Sequence, residues 1–280
     1  DGACAEGPNG KRQEYDWAGY YALIRELQPK ALIAICGPDI RWVGNESGVA
    51  RETEWSVQPA SPAQHPGGQS MVWWPAECDV SIRPGWFYHA AEDAQVKSLS
   101  DLLDIYYKSV GRNSVLLLNI PPDRRGLIHE NDARRLRELR QVLDRTFAVN
   151  FVQGKTARAT NVGAAACGAA QALDGDPASY WAAKDDAPAP TLEIDLGGDV
   201  TFNRSMIQEA IVLGQRVESY TLEAWDGQAW NVFAKGTTIG YKKLDRFPDV
   251  TASRVRLTLG QSRAMPAIAE VGLFREPPRP

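Results

Sequence analysis

Residues 114–122 read SVLLLNIPP and residues 129–147 read HENDARRLRELRQVLDRTF. The first is an unbroken apolar run that stops at Asn119 and Pro121, the pattern of a strand covered on both faces in a parallel sheet. The second places Leu136, Leu139, Leu143 and Phe147 on one helical stripe, with Asn131 or Asp132 expected as its N-cap. A buried strand followed by a one-sided helix is the repeating unit of α/β proteins. The same unit recurs towards the N-terminus. Residues 15–29 carry Trp17, Tyr20, Tyr21, Ile24 and Leu27 at helical spacing and stop at Pro29. ALIAIC (31–36) and the run from Met71 to Trp74 read as strands, and a helix from about Ser100 to Val110 turns Leu102, Leu103, Tyr106 and Val110 to one side. A complete eight-fold β/α barrel needs about 250 residues. Only 147 precede the change of pattern, so residues 1–147 are expected to form roughly half of a TIM (β/α)8 barrel, its C-terminal half, with the chain beginning inside a domain.

Beyond Phe151 the period changes. A small, polar connector leads into segments that alternate. TLEIDLG sends Leu192, Ile194 and Leu196 to one face, RVRLTLG does the same with Val255, Leu257 and Leu259, and SYTLEAWDG and AEVGLFR continue the series. Clean alternation with short turns predicts an antiparallel β-sandwich over residues 148–275, with 276–280 as a disordered tail. The fold class expected for the whole is thus α/β plus all-β.

Composition narrows the function classes. Hydrophobic residues are 44% and charged residues 24%, as in ordinary globular chains. No apolar stretch approaches the roughly 18 residues of a membrane span. A net charge of −4 gives no footprint for nucleic acid. The nine tryptophans suit a protein that stacks on sugar rings, and equally one that fills its core with indoles. The cysteines, Cys4, Cys36, Cys78 and Cys167, form no metal-binding spacing.

Barrel enzymes work at the C-terminal ends of their strands. Asp1, in a Gly-rich segment before the first helix, and Glu46, after ALIAIC, fall where two neighbouring units would face one mouth. Two carboxylates across one bond are what glycoside hydrolysis requires, one attacking or activating water and the other protonating the leaving oxygen. Glu52 and Glu54 are rivals to Glu46, which has glycines on either side to let the loop approach a ligand.

Four blocks, DGACAEGPNGKRQEYDW (1–17), PDIRWVGNESG (38–48), SMVWWPAECDVSIRPGWFYH (70–89) and LLLNIPPDRRGLIHENDARRL (116–136), resemble glycoside hydrolase family 29, the α-L-fucosidases, in order, spacing and wording. The resemblance implies an exo-acting, retaining fucosidase that works by double displacement through a fucosyl-enzyme intermediate. Asp1 would be the nucleophile and Glu46 the acid/base, with carboxyl groups about 5–5.5 Å apart. The Gly-Asn-Glu segment resembles the subgroup that releases α-1,3/1,4-linked fucose from branched glycans. Fucosylated oligosaccharides or glycoconjugates would be the substrates, no cofactor would serve catalysis, and a secreted, periplasmic or cell-surface location follows. Arg41 is expected to support the ionised nucleophile or a sugar hydroxyl, or else to form a surface salt bridge. Partial burial, with Trp42 as an apolar wall, would keep Glu46 protonated. Glu77 either points into the mouth or pairs with Arg83. Trp86 either offers a platform to fucose or packs between the two domains.

ALDGDPASYWAA (172–183), LEIDLG (192–197), the segment 207–230, GTTIGYKKLDRF (236–247) and AEVGLF (269–274) resemble a discoidin-type (coagulation-factor C-type) domain, a jelly-roll sandwich. That resemblance places Asp174, Asp176, Ser179 and Glu270 around a structural calcium, for which hard oxygens are suited. Asp174-Gly175-Asp176 also reads as a plain tight turn. A second functional reading has the sandwich acting as a carbohydrate-binding or adhesion module beside an inert barrel remnant. Half a barrel exposes strand edges and inner faces, so these 280 residues alone are expected to be inactive and poorly soluble.

Overall fold

A computed structural model describes residues 15–34, 37–65, 67–184 and 188–278. The N-terminal part is built on three parallel strands in the order β1 (Arg41–Trp42), β4 (Ala76–Ser81), β5 (Ser114–Asn119). Helices α2 (Leu99–Ser109) and α3 (Glu130–Thr146) cover one face, where Val80, Ile82, Leu102 and Ile105 form a core joined by Leu116 and Leu118. Alternate residues of β5, Val115 and Leu117, point away from these helices and stay 48% and 42% exposed. Helix α1 (Trp17–Leu27) precedes the sheet, its N-terminus capped by Asp16. A small hairpin, β2 (Val57–Pro59) with β3 (Met71–Trp73), stands apart as its own antiparallel pair.

Several expectations are corrected here. The described part of 31–36, residues 31–34, is not a strand. Its backbone is engaged otherwise: the Asp39 carboxylate accepts from the Ile33 N–H at 2.7 Å, and the Ile33 carbonyl accepts from the N–H groups of Asp39 and Ile40. Met71–Trp73 is a hairpin arm, and the barrel strand is the next segment, AECDVS. Helix α3 is capped by His129, whose Nδ1 accepts from the Asn131 N–H, so neither Asn131 nor Asp132 is the N-cap. Helix α2 opens with a reciprocal capping box between Ser98 and Asp101. Its buried set, Leu102, Leu103, Ile105, Tyr107 and Ser109, is wider than one stripe. One added residue, Tyr107, is met by the second domain: the Arg204 and Arg246 guanidiniums lie over its ring.

The C-terminal part is one seven-stranded antiparallel sheet folded over itself. Its path runs β10 (Trp230–Gly236), β9 (Tyr220–Trp225), β11 (Lys243–Leu259), β8 (Thr191–Glu209), β12 (Ala267–Phe274), β7 (Trp181–Ala182), with β6 (Thr156–Ala159) also on β8. The long strands β8 and β11 belong to both layers. Their first and last thirds respectively, around Leu192–Asp195 and Arg254–Thr258, pair with each other and with β6 and β9; their other parts pair with each other, and β12 adds to β8. The crossing needs a bend, which the register shifts in β11 and Gly197, at φ 79°, provide. Leu192, Ile194, Phe202, Val255, Leu257 and Trp181 fill the space between the layers. Glu276, placed in the expected tail, is held by the sandwich. It is buried, its carboxylate accepts from the Arg204 guanidinium at 2.6 Å, and its N–H donates to Asn203.

The two parts are latched by amide chemistry. Asn113, buried with φ 59°, donates to the Glu54 carbonyl, Ser56 Oγ and Gln215 Oε1, and accepts from the Tyr241 N–H. Gln215 in turn accepts from the Ser56 N–H and donates to the Glu54 carbonyl.

Candidate active site

β1 and β4 are parallel neighbours, with Trp42 opposite Glu77, so the loops that follow them leave the sheet at the same end. The first loop carries Glu46. Gly44 adopts φ 97° and Gly48 φ 72°, a region that costs other residues energy. Gly48 is further needed for packing, since a Cβ there would lie 2.8 Å from Val80 and 2.9 Å from Ile105. Between them Asn45 staples the loop: its Oδ1 accepts from the Ser47 hydroxyl at 2.6 Å and its Nδ2 donates to the Val49 carbonyl at 2.8 Å. With Asn45 turned inward, Glu46 projects outward.

The second loop carries Trp86, whose indole N–H donates to Glu46 Oε2 at 3.0 Å. The third strand steadies the same residue: Asn119, at the end of β5, donates through Nδ2 to the Trp86 carbonyl and to Ser81 Oγ, both at 3.0 Å. Beneath the loop, Arg83 is fully buried and anchored to Asp132 and Asp93, each at 2.9 Å. The ends of three strands thus converge on one carboxylate–indole pair whose members stand 40 residues apart in the chain.

The remaining residues expected at the site are placed as follows. Asp1 lies outside the described residues. Glu46 is exposed, not half-buried as expected. Trp42 sends its indole N–H to Asp79 Oδ1 at 2.6 Å. Arg41 is buried and paired with buried Glu54, and its Nε donates to the Trp74 carbonyl; this is an interior ion pair and not a surface one. Glu77 does not pair with Arg83. It is buried on the face of β4 turned away from the helices, burial and the nearby Asp79 charge push its pKa up, and its Oε1 has no hydrogen-bond partner among the described residues. Of the rival glutamates, Glu54 is held by Arg41 and Glu52 lies against Arg112 at the domain junction.

In the sandwich, Asp174 Oδ1 accepts from the Asp176 N–H and its Oδ2 lies 2.7 Å from the Ser179 hydroxyl. Gly175 between them takes φ 81°, as a tight turn demands. Glu270 on β12 is 5% exposed, and one of its oxygens, Oε1, is buried without a partner. Burial, then the charges of Asp174 and Asp176, push its pKa up to about 7 against a hydrogen bond from the Gly175 N–H. An orphaned carboxylate oxygen on a residue that feels the charges of two more carboxylates, one of them bonded to a hydroxyl, suits a hard cation. Among the described residues no three such groups already converge on one point.

Residues 16–146 match the family model described as Alpha-L-fucosidase, and residues 156–271 match that of the F5/8 type C domain. Residues 16–146 belong to the α-L-fucosidase family. The fucosidase-family part and the C-type domain also occur together in relatives. Alpha-L-fucosidase 1 of Arabidopsis thaliana is 38% identical over 97% of this chain and 57% of its own length. The solved structure of SpGH29 superimposes with a TM-score of 0.88 at 33% identity, covering 97% of this chain and 62% of that one. A GH29 fucosidase of Ruminococcus gnavus, solved in complex with fucose, gives 0.87 at 28% identity, over 99% of this chain and 60% of that one. The chain therefore spans somewhat more than half the length of the relatives it matches.

Within this fucosidase-family domain, sequence reasoning missed Asp79 and Asn119. Asp79 carried a usable signal, since it stands two residues from Glu77 and must share its face of the strand. Asn119 was read as a strand terminator, which it is, but its amide also fixes the Trp86 loop.

Proposed function

We propose that the protein is an exo-acting, retaining α-L-fucosidase that releases terminal α-1,3/1,4-linked fucose from branched oligosaccharides or glycoconjugates outside the cytoplasm. The observation that carries this reading is the Glu46–Trp86 pair, held at the C-terminal end of a parallel sheet by a family-29 loop. In this reading Glu46 donates its proton to the leaving oxygen as the glycosidic bond breaks. It then takes a proton from the water that attacks the fucosyl-enzyme. Asp1 is the proposed nucleophile. The Trp86 N–H fixes the carboxyl orientation, and its ring face is available to the sugar. Trp42 and Asp79 form the wall beneath, with Glu77 held close by. Arg41 acts through the interior, fixing the start of the loop through Glu54.

The Gly44-Asn45-Glu46 segment supports the linkage assignment. Fucose release from a Lewis-type trisaccharide, compared with an α-1,2-linked fucoside, tests it, and the anomer first formed, read by NMR, tests retention. Preference for the α-1,2 linkage or an inverted product would overturn the respective assignment. Trp86→Phe keeps an aromatic face but removes the N–H, and is expected to lower kcat/KM about tenfold, the worth of one charge-assisted hydrogen bond. An unchanged value would show that the indole does not orient the acid.

We propose further that Asp174, Asp176, Ser179 and Glu270 hold a structural calcium, which when bound would neutralise the crowded carboxylates. Without it, Glu270 binds its proton more tightly folded than unfolded. Its favourable contribution is then complete below about pH 4 and is lost as pH rises through about 7, a change on the order of 3 kcal/mol. In a chelator, Tm should therefore fall from pH 5 to pH 7.5 by more in the wild type than in Glu270→Gln. Calcium at pH 7.5 should restore the wild type only. Identical profiles for the two proteins would remove Glu270 from the site.

A further inference from the structure

A cleft of about 590 Å³ opens where the sandwich meets α2 and the segment before β5. It lies by Arg112, which precedes β5, and so at the end of the parallel strands opposite to the one that carries Glu46. Its volume falls within the roughly 300–1,000 Å³ of small-molecule sites. Five cations line or rim it: Lys108, Arg112, Lys235, Lys243 and Arg246. Three carboxylates oppose them. Asp104 bridges Lys108 and Arg246, Glu52 lies 3.4 Å from Arg112, and Asp245 shares a strand face with Lys243. Two positive charges remain in excess, in a chain whose net charge is −4.

The excess charges can be located. Lys235 and Lys243 form no salt bridge and no side-chain hydrogen bond among the described residues. Lys235 is exposed at the rim. Lys243 is only 8% exposed yet lines the cleft. A buried ammonium without a bonded counter-ion is costly; burial, and to a lesser degree the Arg112 charge, pull its pKa down against Asp245 and Glu52. Asp245 is a poor partner for it, being bound already by the Tyr220 and Ser205 hydroxyls and pushed towards its neutral form by burial. The floor is built closely: the Tyr220 ring lies against Gly236, where a Cβ would come within 2.7 Å of ring atoms. Ser219, Thr221 and Thr237 also line the cleft; the Thr237 hydroxyl is taken up by Thr53 and the Glu52 carbonyl, while Ser219 Oγ accepts from the Gln261 N–H and keeps its own O–H to donate.

We propose that this cleft binds an anionic sugar, its sulfate or carboxylate group seated between Lys243, Lys235 and Arg112 and its hydroxyls meeting Thr221 and the Ser219 O–H. Only the choice of a sugar as the carrier rests on the reading of the protein as a glycan-processing enzyme. Charge alone would equally accept a free oxyanion, so the test separates the two.

The test is calorimetric titration of the whole protein with galactose 6-sulfate, glucuronic acid, neutral galactose and inorganic sulfate. Both acidic sugars are expected to bind, more weakly as sodium chloride is raised, and galactose is not. Lys243→Met and Lys235→Ala should each weaken binding about tenfold, as loss of one charged contact does. Lys235 is on the surface, so its variant keeps the test alive if Lys243→Met fails to fold. Binding of sulfate without either acidic sugar would make the ligand a free ion and overturn the assignment. Equal affinity for galactose, or no effect of either substitution, would overturn it too. Binding is read without fucose release, so a failure here leaves the fucosidase reading untouched, and the reverse holds as well.

Discussion

Glu46→Ala is expected to lower fucose release from an oligosaccharide by about 10²–10⁴-fold, the usual worth of a positioned general acid/base. The loss should depend on the leaving group. A sugar alcohol departs only with a proton, whereas a nitrophenolate is stable without one. For a nitrophenyl fucoside, kcat/KM, which reports the first displacement, should fall far less than for the oligosaccharide. Its kcat should fall steeply, because the second displacement still lacks a base to activate water. Azide needs no base, so it should restore kcat and yield fucosyl azide with the configuration of the substrate. The loop favours a clean experiment: Asn45 and the two glycines set its shape without help from the Glu46 side chain, whose only side-chain hydrogen bond among the described residues is to Trp86. Oligosaccharide activity within threefold of wild type would remove Glu46 from the reaction. Glu54 is a poor replacement because Arg41 holds it in the interior, and Glu52 because it sits at the far end of the sheet.

How far the sequence was legible follows from which face of each element is apolar. β5 and α3 were plain, because helices cover one side of the strand and its other side is apolar as well. β4 was not, because the face of AECDVS turned from the helices carries Glu77 and Asp79 and breaks the apolar run. The more obvious run beside it, Met71–Trp73, went to a hairpin. The alternating sandwich strands were legible one by one, but β8 was read only as far as Gly197 and β11 only from Arg254, where in each case the chain forms one longer bent strand between layers. At the site, Glu46 and Trp86 could be named from the sequence, but their meeting follows from β1 and β4 being parallel neighbours. Arg41 was assigned to the mouth because the family resemblance implies an arginine before the acid/base that touches the sugar. Nothing in its own segment announces that Glu54, 13 residues on, folds back to claim it. The Asn113 latch depends on a single left-handed asparagine and left no pattern to read.

The second large effect is on stability. Asp132→Ala is expected to destabilise the barrel part by about 3–5 kcal/mol, because it strands a buried guanidinium. Arg83 and Asp132 are both 0% exposed, joined at 2.9 Å, and Arg83 reaches Asp93 with its other arm while its guanidinium lies over the Tyr88 ring at 4.9 Å. These contacts tie the end of β4 to the first turn of α3 and to the short helical turn at Ala90–Glu92, the frame on which the Trp86 loop stands. The network is not saturated: one Arg83 nitrogen and one Asp132 oxygen lack hydrogen-bond partners among the described residues. An ion pair so placed carries a large desolvation cost, and its worth lies more in fixing the loop than in net stability. Two variants distinguish these roles. In urea melts, Arg83→Met with Asp132→Leu should recover most of the stability lost in Asp132→Ala, since no charge is left uncompensated. Asp93 then loses its buried partner but is partly exposed and can be solvated. The double variant should nevertheless remain impaired in kcat/KM for fucose release, because Trp86 is no longer held against Glu46. If it regained full activity, the network would be a packing feature only. If Asp132→Ala cost less than about 1 kcal/mol, the guanidinium would have found water, and the pair would not be buried in solution.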